Sequence, residues 1–145
     1  MEDCCLQLQA PGNPGKGRRM DVIDTMNDDL ERAVEKWKGQ SRKGFLELCL
    51  LECIDRCGRI YGFALMERLG HAGLDIGEGS LYPLLARMVR ERTLEAEWDP
   101  PAEGHPRKYY NVPEFGRRFL DRIREERRKD QAAYEAITGL GEGME

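Results

Sequence analysis

The sequence predicts a mainly α-helical fold carrying one small antiparallel β-hairpin, and three observations lead there. Apolar side chains recur three and four residues apart in several stretches before position 92 and again after position 116, the period of helices with one buried face. Between those stretches the period drops to two at Leu94-Glu95-Ala96-Glu97-Trp98, and a Pro/Gly-rich turn leads into a returning strand over 107–112. Finally, a chain of 145 residues with 34% charged side chains suits one soluble core with polar surfaces and is too short for two ordinary domains.

The elements follow in order. Residues 1–20 hold Pro11, Gly12, Pro14, Gly15 and Gly17, with too little apolar surface to offset the entropy of ordering, and read as a disordered tail. Ile23, Met26, Leu30, Ala33 and Trp37 make one narrow stripe on a helix over 21–39. So narrow a stripe suits a seam for another helix, and Gly39 is its expected stop. Ser41 opens a second, central helix through Phe45, Leu48, Cys49, Leu51, Cys53 and Ile54, with Gly58 as its left-handed terminator. Residues 61–69 form a short amphipathic helix broken by Gly70 and Gly73, and 74–76 an extended link. A third helix over 78–92 buries Leu81, Leu84, Leu85, Met88 and Val89 and shows Ser80, Pro83, Arg87 and Arg90 on the other side. Pro83 has no backbone N–H, so it belongs near the first turn unless the helix bends there.

The hairpin, with its turn over 99–106, is marginal alone and must lean on the helices. After 113–116 a long helix runs to about position 138, with Leu120, Ile123, Arg127, Asp130, Tyr134 and Ile137 at heptad spacing. The last segment, 139–145, alternates Gly with Glu and is expected to fray. The stripe over 21–39 and the seam over 113–138 flank a central unit over 40–112, and both suit the pairing of two copies of the chain.

Charge and cysteine usage exclude several classes. Lys and Arg number 23 against 27 Asp and Glu, a formal net charge of -4, so no positive field coats the whole molecule, although a local basic face is allowed. Between positions 40 and 130 there are 17 basic and 16 acidic residues; the acidity lies mostly in the flanks. Uncharged apolar runs such as Leu48-Cys49-Leu50-Leu51 reach only four residues, which excludes a membrane span, and the opening Met-Glu-Asp-Cys-Cys is no secretory signal. Five cysteines, with Cys4 beside Cys5 and Cys49, Cys53 and Cys57 four residues apart, favour reduced thiols in a cytoplasmic protein. The three helical cysteines read as small core residues in preference to a thiol sensor, Cys57 being the most open to solvent. No Cys-x-x-Cys or nearby His supplies a zinc ligand set. His71 and His105 sit in Gly/Pro-flanked links and read as surface residues. No catalytic constellation, phosphate loop or metal motif is present, so neither an enzyme nor a cofactor is expected.

Three helices followed by a two-stranded ribbon is the layout of a winged helix-turn-helix, in which the third helix enters the DNA major groove and the hairpin is the wing. The segments Arg59-Ile60-Tyr61-Gly62-Phe63, Glu78-Gly79-Ser80-Leu81-Tyr82-Pro83-Leu84-Leu85-Ala86-Arg87, Glu95-Ala96-Glu97-Trp98, Pro106-Arg107-Lys108-Tyr109-Tyr110 and Gly116-Arg117 resemble the PadR-like family of bacterial transcriptional regulators, from about Trp37 to Leu120. The resemblance implies a dimeric winged-helix repressor whose C-terminal helices pair the subunits. It also implies, as in some members, a phenolic or hydrophobic small-molecule effector. The sequence departs from the family pattern at Gly77, where a Ser or Asn cap is common, and at Thr93, where a turn Gly is usual. It also departs at Asn111-Val112-Pro113, where the last helix loses a Thr N-cap worth about 1 kcal/mol and the wing loses a cation.

The expected DNA face comprises Ser80, Tyr82, Pro83, Arg87 and Arg90 on the third helix, Tyr61 at the start of the short helix over 61–69, Arg107 and Lys108 on the wing, and Arg42 and Lys43 at a helix start near phosphate. Arg reads guanine bidentately, while Tyr and Ser hydroxyls mostly position against phosphate. Trp37, Leu120, Ile123, Arg127, Tyr134 and Ile137 are the expected dimer or effector residues, and Trp98 is expected to pack on the hairpin. The basic run from Arg117 to Lys129 is interleaved with acids and reads as a salt-bridged surface. The function read here is a homodimeric, sequence-specific DNA-binding regulator acting on a pseudo-palindromic operator. The alternative is a winged-helix module for protein–protein contact with weak or no DNA binding.

Overall fold

The computed structural model describes residues 21–100 and 104–140. The expectations for residues 1–20, 101–103 and 141–145 lie outside the described residues. The elements run α1 (Asp21–Cys57), β1 (Ile60–Tyr61), α2 (Gly62–His71), α3 (Glu78–Arg90), β2 (Glu95–Asp99), β3 (Arg107–Asn111) and α4 (Glu114–Gly139). By packing, the chain divides into two units, Met1–Ser41 and Arg42–Glu145.

The described part of the first unit is the first half of α1. Ile23, Met26, Leu30 and Trp37, the narrow stripe, are all exposed. Local pairs such as Lys38–Glu35 at 2.8 Å add a few tenths of a kcal/mol each, about 0.2–0.5. Gly39 does not end the helix. Helix α1 passes through it into the second unit as one element of 37 residues. A helical glycine costs only about 1 kcal/mol relative to Ala, too little to break a helix with strong helix formers on both sides. The stop comes at Gly58, which adopts φ 74°.

The second unit is organised around the last turns of α1. Leu50, Leu51 and Ile54 are completely buried, each stabilising the fold by about 1.5–3 kcal/mol relative to an exposed side chain. Around them pack Leu65 and Leu69 of α2, Leu81, Leu85 and Met88 of α3, Leu94, Tyr110 and Val112 of the wing, and Leu120 of α4. Cys49, Cys53 and Cys57 are half-buried against this core. Burial is the first cause raising the thiol pKa of both Cys49 and Cys53.

Helices α1 and α4 run antiparallel, as their polar contacts show. Arg127 of α4 lies 5.4 Å over the ring of Phe45, Arg124 holds Glu52 with bonds of 2.5 and 2.8 Å, and Arg117 reaches Asp55 at 3.5 Å. Leu120, expected on an outer seam, is 1% exposed in the core of its own unit, and Ile123 is half-buried against that core. The heptad pattern therefore reports two partners in succession, α1 first and solvent later, since Tyr134 and Ile137 are exposed.

The sheet has three strands, in the order β1-β3-β2. The hairpin register pairs Ala96 with Tyr110 and Trp98 with Lys108. The extra strand, β1, pairs Ile60 with Tyr110 and Tyr61 with Tyr109 and anchors the wing to the helices. Two residues are too few to show an alternating pattern, which is why the sequence predicts a hairpin alone.

At the end of α3 the left-handed residue is Arg92, at φ 65°, one position before Thr93. Buried Thr93 donates its hydroxyl to the Met88 carbonyl at 3.1 Å. Its own carbonyl lies against Gly116 at the start of α4, where a Cβ would overlap that oxygen and come within 2.8 Å of Val112 Cγ1. The N-cap of α4 is Pro113, with no side-chain cap, as expected from the missing Thr.

Two predictions follow from this packing. Gly116→Ala drives the α3–β2 turn off α4 and is expected to cost about 1–3 kcal/mol, read by urea denaturation. The Arg124 hydrogen bond is the main reason the Glu52 carboxyl is held below its ordinary value of 4.5. A carboxyl depressed in this way stabilises the fold above its unfolded pKa and loses that contribution as pH falls through the folded value. The Tm advantage of wild type over Glu52→Gln is therefore expected to be full above about pH 4.5 and to shrink below it, measured by thermal melts down to about pH 3.

Candidate nucleic-acid interface

Helix α3 buries Leu81, Leu85 and Met88, and this stripe decides what faces out. Ser80, Pro83 and Arg90 are exposed, Tyr82 is 42% exposed, and Arg87 is half-exposed. Pro83 is the sixth residue of the helix, inside its second turn, so Gly79 loses its usual N–H donor there. Tyr82 is held by close packing, since a Cβ on Gly62 would lie 2.7 Å from the Tyr82 Cε1. Only a glycine at the start of α2 lets the phenol lie against that backbone.

Opposite α3 stands the wing, and between them opens a cleft of about 490 Å³ lined by Tyr61, Phe63, Tyr82, Trp98, Arg107, Lys108 and Tyr110, among others. The cross-strand pair Trp98–Lys108 brings the Lys108 Nζ to 5.7 Å from the Trp98 ring and 5.9 Å from the Tyr110 ring, within cation–π reach. Burial, and then the neighbouring Tyr82 phenol, push the Tyr110 pKa up. A second aromatic–cation row involves Arg59, Tyr109, Tyr61 and Arg107. The Arg59 guanidinium stacks 3.9 Å over Tyr109, Tyr109 meets Tyr61 edge-on at 5.7 Å, and the Arg107 guanidinium lies 4.7 Å over Tyr61. Arg59 also bonds Asp99 at 3.2 Å.

The cleft thus gathers Tyr61, Tyr82, Arg107 and Lys108, four of the residues singled out from sequence. Arg42 and Lys43 are exposed on α1 and do not line it. Arg87 is engaged by Glu47 and Glu91. The hydrogen bond it donates to Glu47 is the first cause of its raised pKa. Trp98, expected to pack on the hairpin, is 65% exposed and forms a wall of the cleft instead. Arg59, Tyr109 and Phe63 complete the arrangement. Tyr109 could have been found from its position next to the Arg107-Lys108 pair, whereas Arg59 and Phe63 depend on the unread strand β1.

Among the described residues no group of three His, Cys, Asp or Glu is placed to hold a metal ion, and no helix is long and apolar enough to cross a membrane. His71 and His105 are exposed.

Comparison with known proteins decides the family. The family profile described as "Transcriptional regulator PadR-like family" matches residues 50–122, which span α1's buried turns, the helix pair, the wing and the start of α4. The chain belongs to the PadR-like family of transcriptional regulators. Its members are regulators of transcription and not enzymes. Among solved structures, a PadR-like transcription factor from Bacteroides fragilis is 32% identical, covering 70% of this chain and 98% of that one with a TM-score of 0.63. A PadR family transcriptional regulator from Eggerthella lenta is 28% identical over 74% of this chain and 90% of its own, with a TM-score of 0.64. A PadR-like regulator from Bacillus cereus is 31% identical over 72% and 99%, with a TM-score of 0.55. An uncharacterised protein from Lysinibacillus sphaericus is 25% identical over 84 residues, 56% of this chain and 76% of that one. Membership explains the placement of the PadR-like motifs. Tyr61-Gly62 and Ser80-Leu81-Tyr82-Pro83 meet where the Tyr82 ring covers the Gly62 backbone, and Lys108-Tyr109-Tyr110 forms the central strand of the wing.

Gly62→Ala tests that meeting point. The added methyl displaces the Tyr82 ring, and the expected readout is a shift of the Tyr82 ring proton resonances. A loss of about 1–3 kcal/mol of stability should accompany it.

Proposed function

We propose that this PadR-like chain is a cytoplasmic, homodimeric repressor that binds a pseudo-palindromic DNA operator, with half-sites about one helical turn apart. The observation that carries the reading is the cleft between α3 and the wing, where the cations Arg107 and Lys108 stand beside the phenols of Tyr61 and Tyr82, groups suited to phosphate contacts. In this reading Ser80, Tyr82, Pro83 and Arg90 meet the major groove. Arg107, Lys108, Tyr61, Arg42 and Lys43 hold phosphates, and Arg87 is poised at the end of the reading face. Phosphate contacts fix register, and groove contacts select sequence.

The exposed stripe of Ile23, Met26, Leu30 and Trp37, together with exposed Tyr134 and Ile137 on α4, supports pairing of two copies. Arg127 lies beside Phe45 and belongs to that region through α4. Leu120 and Ile123 drop out of the pairing surface because the core of their own unit takes them. A flat hydrophobic or phenolic effector suits an aromatic-walled interface at Trp37. A second reading, a winged-helix module for protein contacts, is favoured by the exposed acids Glu95, Glu97 and Asp99 on the wing.

The test is retention of genomic DNA fragments by purified protein at two salt concentrations, with the mass in solution measured alongside. A mass of twice the 16.7 kDa chain and binding that weakens steeply with salt are expected. Lys43→Ala and Lys108→Ala are each expected to weaken all sequences alike and to flatten the salt dependence by about one unit of slope. Tyr82→Phe should leave the slope unchanged. Failure to retain any fragment at low salt favours the protein-contact module.

A further inference from the structure

Arg87 stands on the outward side of α3, but its guanidinium already has partners. Nη2 donates to Glu47 Oε2 at 3.1 Å, reaching across to α1, and Nη1 donates to the two oxygens of Glu91 at 3.0 and 2.8 Å. The two carboxylates differ in kind. The Glu47 side chain is only 14% exposed and is fixed on α1, whereas Glu91 is 49% exposed, one turn away at the C-cap of α3. A solvated partner is readily screened by salt, while a sheltered one is screened much less. Glu47 is therefore the anchor.

Both terminal nitrogens of the fork are thus engaged. Bidentate reading of guanine needs two N–H donors from one guanidinium, and a phosphate contact needs the positive charge free to replace a counterion. Glu47 and Glu91 compete with both, because they neutralise the charge and occupy donors on both terminal nitrogens. Two carboxylates face the single charge of Arg87, so this guanidinium, unlike the exposed Arg90 beside it, does not attract a phosphate.

We propose that Glu47 is a specificity-determining residue for DNA recognition: it pins Arg87 to α1 and so withholds one sequence-independent phosphate contact from the α3 face. The inference rests on the DNA-facing reading of α3 given above. Discrimination between an operator and bulk DNA is a difference of two affinities, and it grows when the unspecific one is lowered. Ser80, Tyr82 and Pro83, nearer the start of α3, are untouched by the pin.

The experiment is fluorescence anisotropy of a labelled random-sequence duplex of about 30 base pairs with the full-length chain, at salt concentrations from about 50 to about 200 mM. Wild type is compared with Glu47→Gln, Glu47→Asp and the double variant Glu47→Gln/Arg87→Ala. Freeing Arg87 adds one phosphate contact, so Glu47→Gln is expected to bind the duplex more tightly. Its affinity should also fall about threefold more than that of wild type across the salt range, one phosphate being worth a slope of about 0.9. Glu47→Asp keeps the charge but withdraws the carboxylate by one methylene, and it is expected to move in the same direction. It also stands in should Glu47→Gln fail to fold. The double variant is expected to return to the wild-type slope.

An unchanged slope in both Glu47 variants, with wild type binding normally, overturns the pin and leaves the DNA-facing reading intact. A steep slope that persists in the double variant also overturns it, since the gain would then come from lost negative charge and not from Arg87. Absence of binding by all four proteins overturns the DNA-facing reading, and the pin with it.

Discussion

The outward face of α3 is set by the three side chains it turns inward. Leu81, Leu85 and Met88 are completely buried against α1 and its neighbours, and a helix with that stripe fixed has no rotational freedom left. A turn of one residue about the helix axis, roughly 100°, would expose leucine and bury Ser80 or Pro83. The reading face is therefore a by-product of core packing. The packing in turn depends on the last turns of α1, whose Leu50, Leu51 and Ile54 supply the surface that α3 is pressed against. The Arg124–Glu52 bonds and the Gly116–Thr93 contact hold α4 and the end of α3 to the same hub.

The molecule is acidic overall, yet its cleft is not. Nucleic-acid binding by such a chain depends on where charge is released, because ion pairs elsewhere neutralise many of the cations. Arg117 and Arg124 have carboxylate partners on α1, and Arg118, Arg128 and Lys129 have theirs along α4, and α4 is accordingly a structural surface. On the wing the cations lie over aromatic rings. A ring stabilises a cation without cancelling its charge, so Arg107 and Lys108 keep their field while their side chains are held in place. Pre-ordered cations lose less side-chain entropy when a phosphate arrives.

Much of this could be read from the amino-acid sequence, and the exceptions have physical reasons. Helical periods, the change to period two at Leu94 and the terminator Gly58 are local signals, and each emerged in the structure at or within a few residues of its expected place. Gly39 misled because a glycine stops a helix only when the backbone beyond it turns left-handed, and at Gly39 it does not. Arg92 took the left-handed position where no glycine stands, held there by buried Thr93. Leu120 matched a heptad seam because periodicity reveals that a face is covered but not by what. The Arg87–Glu47 bond joins residues 40 positions apart, and no local pattern encodes such a partner. The four cleft residues lie in segments that resemble the family, and so does Trp98, but the exposure of Trp98 cannot be read from an alternating strand.

Strand β2 lies at the margin of the sheet, paired on one side with β3 and open on the other. Open strands invite a copy of themselves, and the ladders that result are how many β-rich proteins precipitate. Glu95, Glu97 and Asp99 stand at every second position of this strand, so a second β2 brought alongside would set carboxylate against carboxylate. The same acids that make the wing less attractive to phosphate keep it from stacking into fibres at high concentration.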